Sequence, residues 1–148
     1  MNAPPYRVRA LDAADFDLLR PVRLDALRLH PEAYGASYEE ESQASPDDLA
    51  RRLLLPPSTM FGGFGDDRLV ATTGLLRSTR IKQRHIGHLF FVYVEAAYRR
   101  SGLSRALVRV ALAMARNEGL RVVQPNVTVG NDPARRLYAA FGFQSHGI

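Results

Sequence analysis

Residues 99–105, RRSGLSR, combine three arginines, two serines and one glycine at the start of a predicted helix. The first amide groups of a helix have no partner inside the helix, and its N-terminus attracts negative charge. The glycine allows close approach to the backbone, and the arginines add positive charge. The backbone N–H groups of residues 100–105 are therefore candidates for binding a pyrophosphate. This motif alone leaves an ordinary strand-to-helix turn as the alternative.

A second segment, residues 131–143, places polar side chains at helical spacing. Asn131-Asp132-Pro133 is typical of the start of a helix, and Gly142 is typical of its end. Asn131 and Tyr138 lie about two turns apart at 3.6 residues per turn. Their side chains are therefore expected on nearly the same face of this helix. A tyrosine that only packs against the core is the alternative.

Composition and motifs exclude several other kinds of site. The sequence has no cysteine, which excludes disulfides, thiolate nucleophiles and cysteine metal sites. The four histidines do not form an H-E-x-x-H pattern, so no metal site is expected. The sequence also lacks the G-x-x-x-x-G-K-[ST] and G-x-G-x-x-G loops of nucleoside triphosphate and dinucleotide sites.

The formal net charge is +5, and it is carried almost entirely by arginine because Lys82 is the only lysine. A basic surface could serve nucleic acid, an acidic partner or an anionic cofactor. The arginines are spread along the chain without the aromatic residues of an RNA-binding module, so no nucleic acid partner is expected. No apolar run could span a membrane and no secretion signal is evident, which predicts a cytoplasmic protein without a membrane partner.

The 148 residues fit one α/β domain, residues 1–148, with a mixed sheet. Pro21 is predicted to divide the first helix into two pieces, because proline inside a helix removes a backbone donor. Asp12 and Ser45 are expected to cap helices. Hydrophobic periodicity and turn residues predict strands at 6–11, 59–64, 69–77, 86–94 and 121–129, and helices before and after Pro21, at 46–55, from 103 to Gly119 and at 133–140.

The two segments, taken together, match the motifs of one family. Residues 94–104, VEAAYRRSGLS, follow a V-x-P-x-Y strand end and then Q/R-x-x-G-x-G/A. The pattern N-x-x-A-x-x-L-Y-x-x-x-G-F is matched by Asn131, Ala134, Leu137, Tyr138, Gly142 and Phe143. Over residues 6–143 the chain resembles the GNAT (GCN5-related) N-acetyltransferases. The resemblance implies a single-domain GNAT-like fold, in which helices flank a mixed central sheet with a splayed strand pair.

Acetyl-CoA is the cofactor that this resemblance implies. Its pyrophosphate would bind the turn at residues 100–105, with added charge from Arg99 and Arg100. The pantetheine would pair with the backbone at 92–94, where an N–H would polarise the thioester carbonyl. The implied cofactor-binding residues are Val92, Val94, Arg99, Arg100, Ser101, Gly102, Leu103, Ser104, Arg105 and Asn131.

The implied reaction is direct transfer of acetyl to a primary amine of a small molecule or protein. Tyr138 would be the general acid that protonates the CoA thiolate. His88 and Glu95 are candidates for the base that deprotonates the amine, with ordered water as the alternative. The resemblance implies that the early helices and the end of the chain form the acceptor site, here residues 34–41. Acidic residues 39–41 favour a cationic amine, or are simply a solvated helix face.

The chain departs from the family pattern in several places. Ser104 stands where glycine or alanine is usual, Ala96 replaces a proline, and Pro125 interrupts the strand beside the cofactor. The final hairpin strand is expected to be largely missing: either the sequence is truncated, or the sheet edge is left open and a partner chain, such as a second copy in a homodimer, covers it. Ser104 and the missing strand support an alternative, a CoA-binding module without catalytic activity.

Overall fold

The structure, a computed structural model, describes residues 5–31, 34, 37–125, 136, 137 and 139. Within them, five strands form one sheet in the order β1-β2-β3-β4-β5. The strands are β1 (Arg7–Ala10), β2 (Ser58–Gly65), β3 (Arg68–Arg77), β4 (Ile86–Val94) and β5 (Val122–Pro125). The helices are α1 (Phe16–Leu29), α2 (Tyr38–Gln43), α3 (Pro46–Leu54) and α4 (Leu103–Asn117), with 3₁₀ turns at Ala13–Asp15, Ile81–Gln83 and Ala96–Tyr98.

The sheet is mixed, as predicted. Strands β1 to β4 pair antiparallel in chain order, and β4 pairs parallel with β5. The parallel register joins Ile86 to Val122 and continues to Leu89 and Pro125. Pro125 is the last described residue of β5, and residues 126–129 of the predicted strand lie outside the described residues. The described β4–β5 pairing therefore covers only the first half of β4.

Helices cover both faces of the sheet. One core layer contains α4 and the side chains of β2, β3 and β4 that face it, including Phe61, Val70 and Leu89. The other contains α1 and α3, with Leu19 and Leu49 fully buried. No helix among the described residues is long and apolar enough to cross a bilayer.

The predicted cap at Ser45 is confirmed, whereas Asp12 caps the 3₁₀ turn Ala13–Asp15 that leads into α1 and not α1 itself. The Asp12 side chain accepts a bond from the amide of Ala14 (2.9 Å), and the Asp15 carboxylate accepts one from the amide of Asp12 (2.9 Å). The Ser45 hydroxyl oxygen accepts a bond from the amide of Asp48 at the start of α3, where Pro46 occupies the first turn. Each of these caps satisfies a backbone donor that the helix itself leaves free.

The predicted break at Pro21 is wrong, because α1 runs without interruption from Phe16 to Leu29. Proline inside a helix costs about 3 kcal/mol, since one backbone hydrogen bond is lost. Pro21 is exposed, so the unpaired carbonyl one turn earlier can be hydrated. Buried residues on both sides of it, Leu19 and Ala26 among them, hold the helix against the sheet.

Candidate active site

A cavity of about 570 Å³ lies beside the second half of β4. Val92, Tyr93 and Val94 of β4 form its centre. Val92 and Val94 belong to the core layer of α4, whereas Tyr93 belongs to the layer of α1. The cavity therefore reaches around the edge of β4, from one face of the sheet to the other.

The end of the cavity on the α4 side contains most of the predicted cofactor-binding residues. Arg99, Arg100, Gly102, Leu103, Ser104 and Arg105 all line it, together with Arg136 and Leu137. Ser101 is not among the lining residues: its hydroxyl donates to the carbonyl of Tyr98 and accepts from the amide of Leu103 (3.3 Å). Asn131 and Tyr138 lie outside the described residues, although Arg136 and Leu137 belong to the same motif.

The turn before α4 has the backbone that an anion site requires. Gly102 has a φ of +88°, in the left-handed region, and Arg100 has a φ of +63°. The chain enters α4 at Leu103, and the carbonyl of Gly102 accepts the amide of Ala106. The Ser101 hydroxyl takes the first free amide of the helix, so the amides of Ser104 and Arg105 remain for a ligand. Three arginines around these amides complete a site suited to a pyrophosphate.

Side chains cover the carbonyl groups along the cavity edge of β4. The amide of Glu95 donates to the carbonyl of Val70, toward β3. Because backbone groups alternate in direction along a strand, those of Val94 point away from β3. The Val94 carbonyl accepts from Nε of Arg99 (3.2 Å), and the Val92 carbonyl accepts from the hydroxyl of Tyr34 (3.0 Å). These carbonyls lie where the resemblance puts the pantetheine.

The Tyr34 hydroxyl stays protonated, so it can keep donating its hydrogen bond to the Val92 carbonyl. Burial, with a smaller contribution from the neighbouring Tyr93, raises the pKa of the Tyr34 hydroxyl to about 12. Burial also raises the pKa of Tyr93. Both phenols are therefore neutral at physiological pH, and Tyr34 keeps the proton that it donates to Val92.

A bulge in β4 sets the direction of these backbone groups. Phe90 pairs with Gly74 and Tyr93 pairs with Thr72, so Phe91 and Val92 together stand opposite one residue of β3. Phe91 has a φ of +50°, which is uncommon for a bulky residue. Leu89 before the bulge packs on the α4 side, whereas Phe91 and Tyr93 pack on the α1 side. The extra residue therefore shifts the alternation of side chains by one position, so that after the bulge the odd-numbered residues face α1 and no longer α4.

The structure does not bring the two candidate bases into the cavity. The Glu95 carboxylate binds Arg68 through both oxygens, at 2.9 and 2.7 Å, and does not line the cavity. His88 lies earlier in β4, paired with Leu76 and Gln124, and is also absent from the lining. Their assignment as bases remains a prediction that these contacts do not favour.

His30 and Tyr34 line the end of the cavity on the α1 side; sequence reasoning missed His30, whereas Tyr34 begins the segment 34–41 that the resemblance places at the acceptor site. His30 follows α1, its amide bonded to the carbonyl of Ala26, and its ring centroid lies 6.3 Å from that of Tyr93. The Tyr34 ring packs edge-on against Phe91 at 5.2 Å. The sequence signal for His30 was its position at His30-Pro31, where the first helix was predicted to end.

Comparison with known proteins agrees with this architecture. The family model "Acetyltransferase (GNAT) family" matches residues 24–143. A mycothiol acetyltransferase of Thermomonospora curvata is 30% identical over 99% of this chain, which spans 50% of that protein's length.

Solved structures show the same fold at lower identity. A GNAT-family acetyltransferase from Streptococcus pneumoniae superposes with a TM-score of 0.79 at 20% identity, covering 97% of this chain and 87% of that one. An aminoglycoside acetyltransferase from a soil metagenome, solved with sisomicin, gives a TM-score of 0.76 at 11% identity, covering 97% and 92%.

Proposed function

Because the chain belongs to the GNAT acetyltransferase family, we propose that it transfers an acetyl group from acetyl-CoA to a primary amine in the cavity beside β4. The observation that supports this most directly is the course of the cavity. It joins an anion site at the start of α4 to an aromatic pocket on the α1 face, and it passes the cavity edge of β4 between them.

The residues at the α4 end fit the charged part of acetyl-CoA. The amides of Ser104 and Arg105 would bind its pyrophosphate, and Arg99, Arg100 and Arg105 would neutralise it. Acetyl-CoA, when bound, supplies the activated acetyl thioester. The β4 backbone at 92–94 would hold the pantetheine in place of the bonds now made by Tyr34 and Arg99.

The protons of the reaction need a donor and an acceptor. Tyr138 would give a proton to the sulfur of the leaving CoA, and this proposal is supported by the presence of Arg136 and Leu137 in the lining. His30 would accept the proton of the attacking amine. His30 contributes the one imidazole among the described residues that line the cavity, and histidine is the side chain most often used as a general base.

The acceptor that we propose is a small-molecule amine. The α1 end of the cavity presents three flat rings, those of His30, Tyr34 and Tyr93. Such rings pack on the apolar face of a substrate and attract a nearby ammonium group. An aminoglycoside such as sisomicin carries several amines on sugar rings, and it is a reasonable first member of a test panel.

The test is a thiol-release assay with acetyl-CoA and a panel of small amines. Wild-type protein is expected to release CoA only when an acceptor is present, and Tyr138→Phe is expected to lower kcat about 100-fold with acetyl-CoA binding unchanged. Acetyl-CoA binding without turnover on any amine would instead identify a CoA-binding module.

The role of His30 has its own test. His30→Gln should lower kcat about 100-fold with acetyl-CoA binding unchanged, whereas His85→Gln, in an exposed loop away from the cavity, should leave kcat unchanged. A wild-type kcat in His30→Gln would exclude His30 as the base.

A further inference from the structure

An ion pair lies behind the cavity, between α1 and α2. Nε of Arg23 lies 2.5 Å from one carboxylate oxygen of Glu41, and Nη2 lies 2.7 Å from the other. Both side chains are buried, with 10% and 5% of their surfaces exposed. A buried bidentate pair has one well-defined geometry, because breaking it would leave an unpaired charge away from water.

The guanidinium of Arg23 is also stacked on the bulge residue of β4. Its central carbon lies 4.7 Å from the centroid of the Phe91 ring. Tyr34 packs edge-on against the same ring at 5.2 Å, and Tyr93 lies nearly parallel to it at 6.5 Å. Three side chains therefore pack against Phe91. The strongest of these contacts is the one with Arg23, and Glu41 fixes the position of Arg23.

These contacts with Phe91 affect the backbone of residues 92–94 at the proposed transfer site. A left-handed backbone is strained for a bulky residue such as Phe91, so surrounding contacts must maintain it. If Phe91 relaxed to ordinary extended geometry, the bulge would be lost and β4 would change register from Val92 onward. The carbonyls of Val92 and Val94 would then no longer both face the cavity.

We propose that Arg23 and Glu41 are positioning residues that hold the Phe91 bulge, and with it the backbone of residues 92–94, in the geometry required for acetyl transfer. Neither residue lines the cavity, so both act through Phe91. Glu41 belongs to α2, so the placement of α2 is coupled to the strand that binds the pantetheine. The effect on turnover rests on the proposed function; the effect on Phe91 does not.

A double variant separates positioning from stability. R23M/E41M removes both charges but keeps apolar volume, and such replacements of buried pairs are usually neutral or stabilising. We expect a folded protein with an unchanged or higher Tm. We expect kcat to fall about ten- to a hundredfold, because small displacements of a reacting group are costly. The KM for acetyl-CoA should rise by a smaller factor than kcat falls, because the contacts to the pantetheine at 92–94 are displaced while the proposed anion site at α4 is untouched.

The conformation of Phe91 gives a readout that needs no substrate. The nuclear Overhauser cross-peak between the amide and Hα protons of Phe91 is strong at positive φ, because the two protons are close together there. This cross-peak should weaken in R23M/E41M. D48M/R51M removes an exposed pair on α3 and should change neither this cross-peak nor kcat. Arg23→Lys keeps the charge but lacks the planar group. Its kcat should therefore lie between those of R23M/E41M and wild type.

The outcomes are distinct. A retained cross-peak in folded R23M/E41M would overturn the proposal, as would a weakened cross-peak with normal kcat. If wild-type protein acetylates no amine, the proposed function fails, yet the cross-peak still decides whether Arg23 and Glu41 hold the bulge.

Discussion

Gly102 and Gly119 are two residues with the same backbone requirement in different surroundings. Gly102 precedes α4 with a φ of +88°, and Gly119 follows it with a φ of +80°. Among the described residues, a Cβ on Gly102 would meet only the Tyr6 hydroxyl at 3.5 Å, and one on Gly119 would meet nothing within 4 Å. Space is available at both positions, so an alanine there suffers mainly from its left-handed backbone.

This pair gives a matched prediction. Gly102→Ala and Gly119→Ala should each lower the free energy of unfolding by about 1–2 kcal/mol, measured by urea denaturation. Only Gly102→Ala should also weaken acetyl-CoA binding, by about tenfold in a calorimetric titration, because the strain displaces the amides at the start of α4. Equal loss of affinity in both variants would mean that the effect is global.

Asp15 provides a prediction about pH. Its carboxylate accepts two hydrogen bonds from Arg9, at 2.8 and 3.0 Å, and these bonds hold the pKa of Asp15 below its ordinary value. A lowered carboxyl pKa stabilises the fold above the unfolded pKa of about 3.9, and this stabilisation is lost as pH falls through the folded pKa.

Asp15→Asn should therefore lower the free energy of unfolding by about 1–2 kcal/mol at pH 7, as measured by denaturant titration. The difference from wild type should shrink as pH falls below about 3.9. Asp17→Asn, an exposed neighbour, should change stability by less than about 0.5 kcal/mol at either pH. A pH-independent deficit in Asp15→Asn would contradict the ion-pair explanation.

At this scale, sequence reasoning found residues whose chemistry is local. The turn at 99–105 was recognisable because its glycine, serines and arginines adjoin one helix start. His30 was missed, and the bond from Tyr34 to Val92 was not predicted, because both depend on contact with β4, which lies 58 residues further along in the case of Tyr34 and Val92. The residues next to them in sequence carry no sign of that contact.

At the scale of elements, the start of α4 depends on a glycine in β2. A Cβ on Gly63 would lie 2.7 Å from Cδ1 of Leu103, the first residue of α4. Leu103 is fully buried in the layer between α4 and the sheet, so it has little room to move. Because Gly63 has no side chain, the start of α4, with the proposed anion site, can lie this close to the sheet.

Gly63→Ala should displace the N-terminus of α4 and destabilise the protein by about 1–3 kcal/mol, because the core there is already filled. Acetyl-CoA affinity should fall at the same time, as measured by calorimetry at a temperature where the variant is folded. Gly87→Ala, whose Cβ would lie 2.9 Å from Leu120 at the other end of α4, is the matched control. It should cost similar stability and leave affinity unchanged.

Element types were predicted better than the irregularities within them. Capping residues and apolar periodicity are local signals, so the starts of α1 and α3 and the positions of β2, β3 and β4 were anticipated. The uninterrupted α1 depends on packing around Pro21, which outweighs local preference. The bulge at Phe91 depends on pairing with β3, and none of the residue types in the sequence FFVYV indicates a bulge.

For the whole molecule, charge predicts how ligand binding responds to salt. The net charge is +5, and Arg99, Arg100 and Arg105 gather at one end of the cavity. Screening acts over about 8 Å at physiological ionic strength, so these partly exposed charges are sensitive to salt. Acetyl-CoA should therefore bind more weakly as salt increases.

Arg100→Gln should raise the Kd for acetyl-CoA about three- to tenfold at low salt and flatten its dependence on salt concentration. Arg52→Gln, at an exposed position on α3, should leave both quantities close to wild type. Titrations at several salt concentrations measure both. Parallel salt dependences for wild type and Arg100→Gln would place the responsible charge elsewhere.

The covered carbonyls of β4 also bear on how copies of this protein behave toward one another. An unpaired strand edge is a template onto which another chain can add a strand, and uncontrolled addition leads to aggregation. Tyr34 and Arg99 occupy the acceptors of Val92 and Val94 without forming a strand. Among the described residues, these two side-chain bonds therefore deny a neighbouring molecule a regular ladder along the edge of β4 that we propose for the pantetheine.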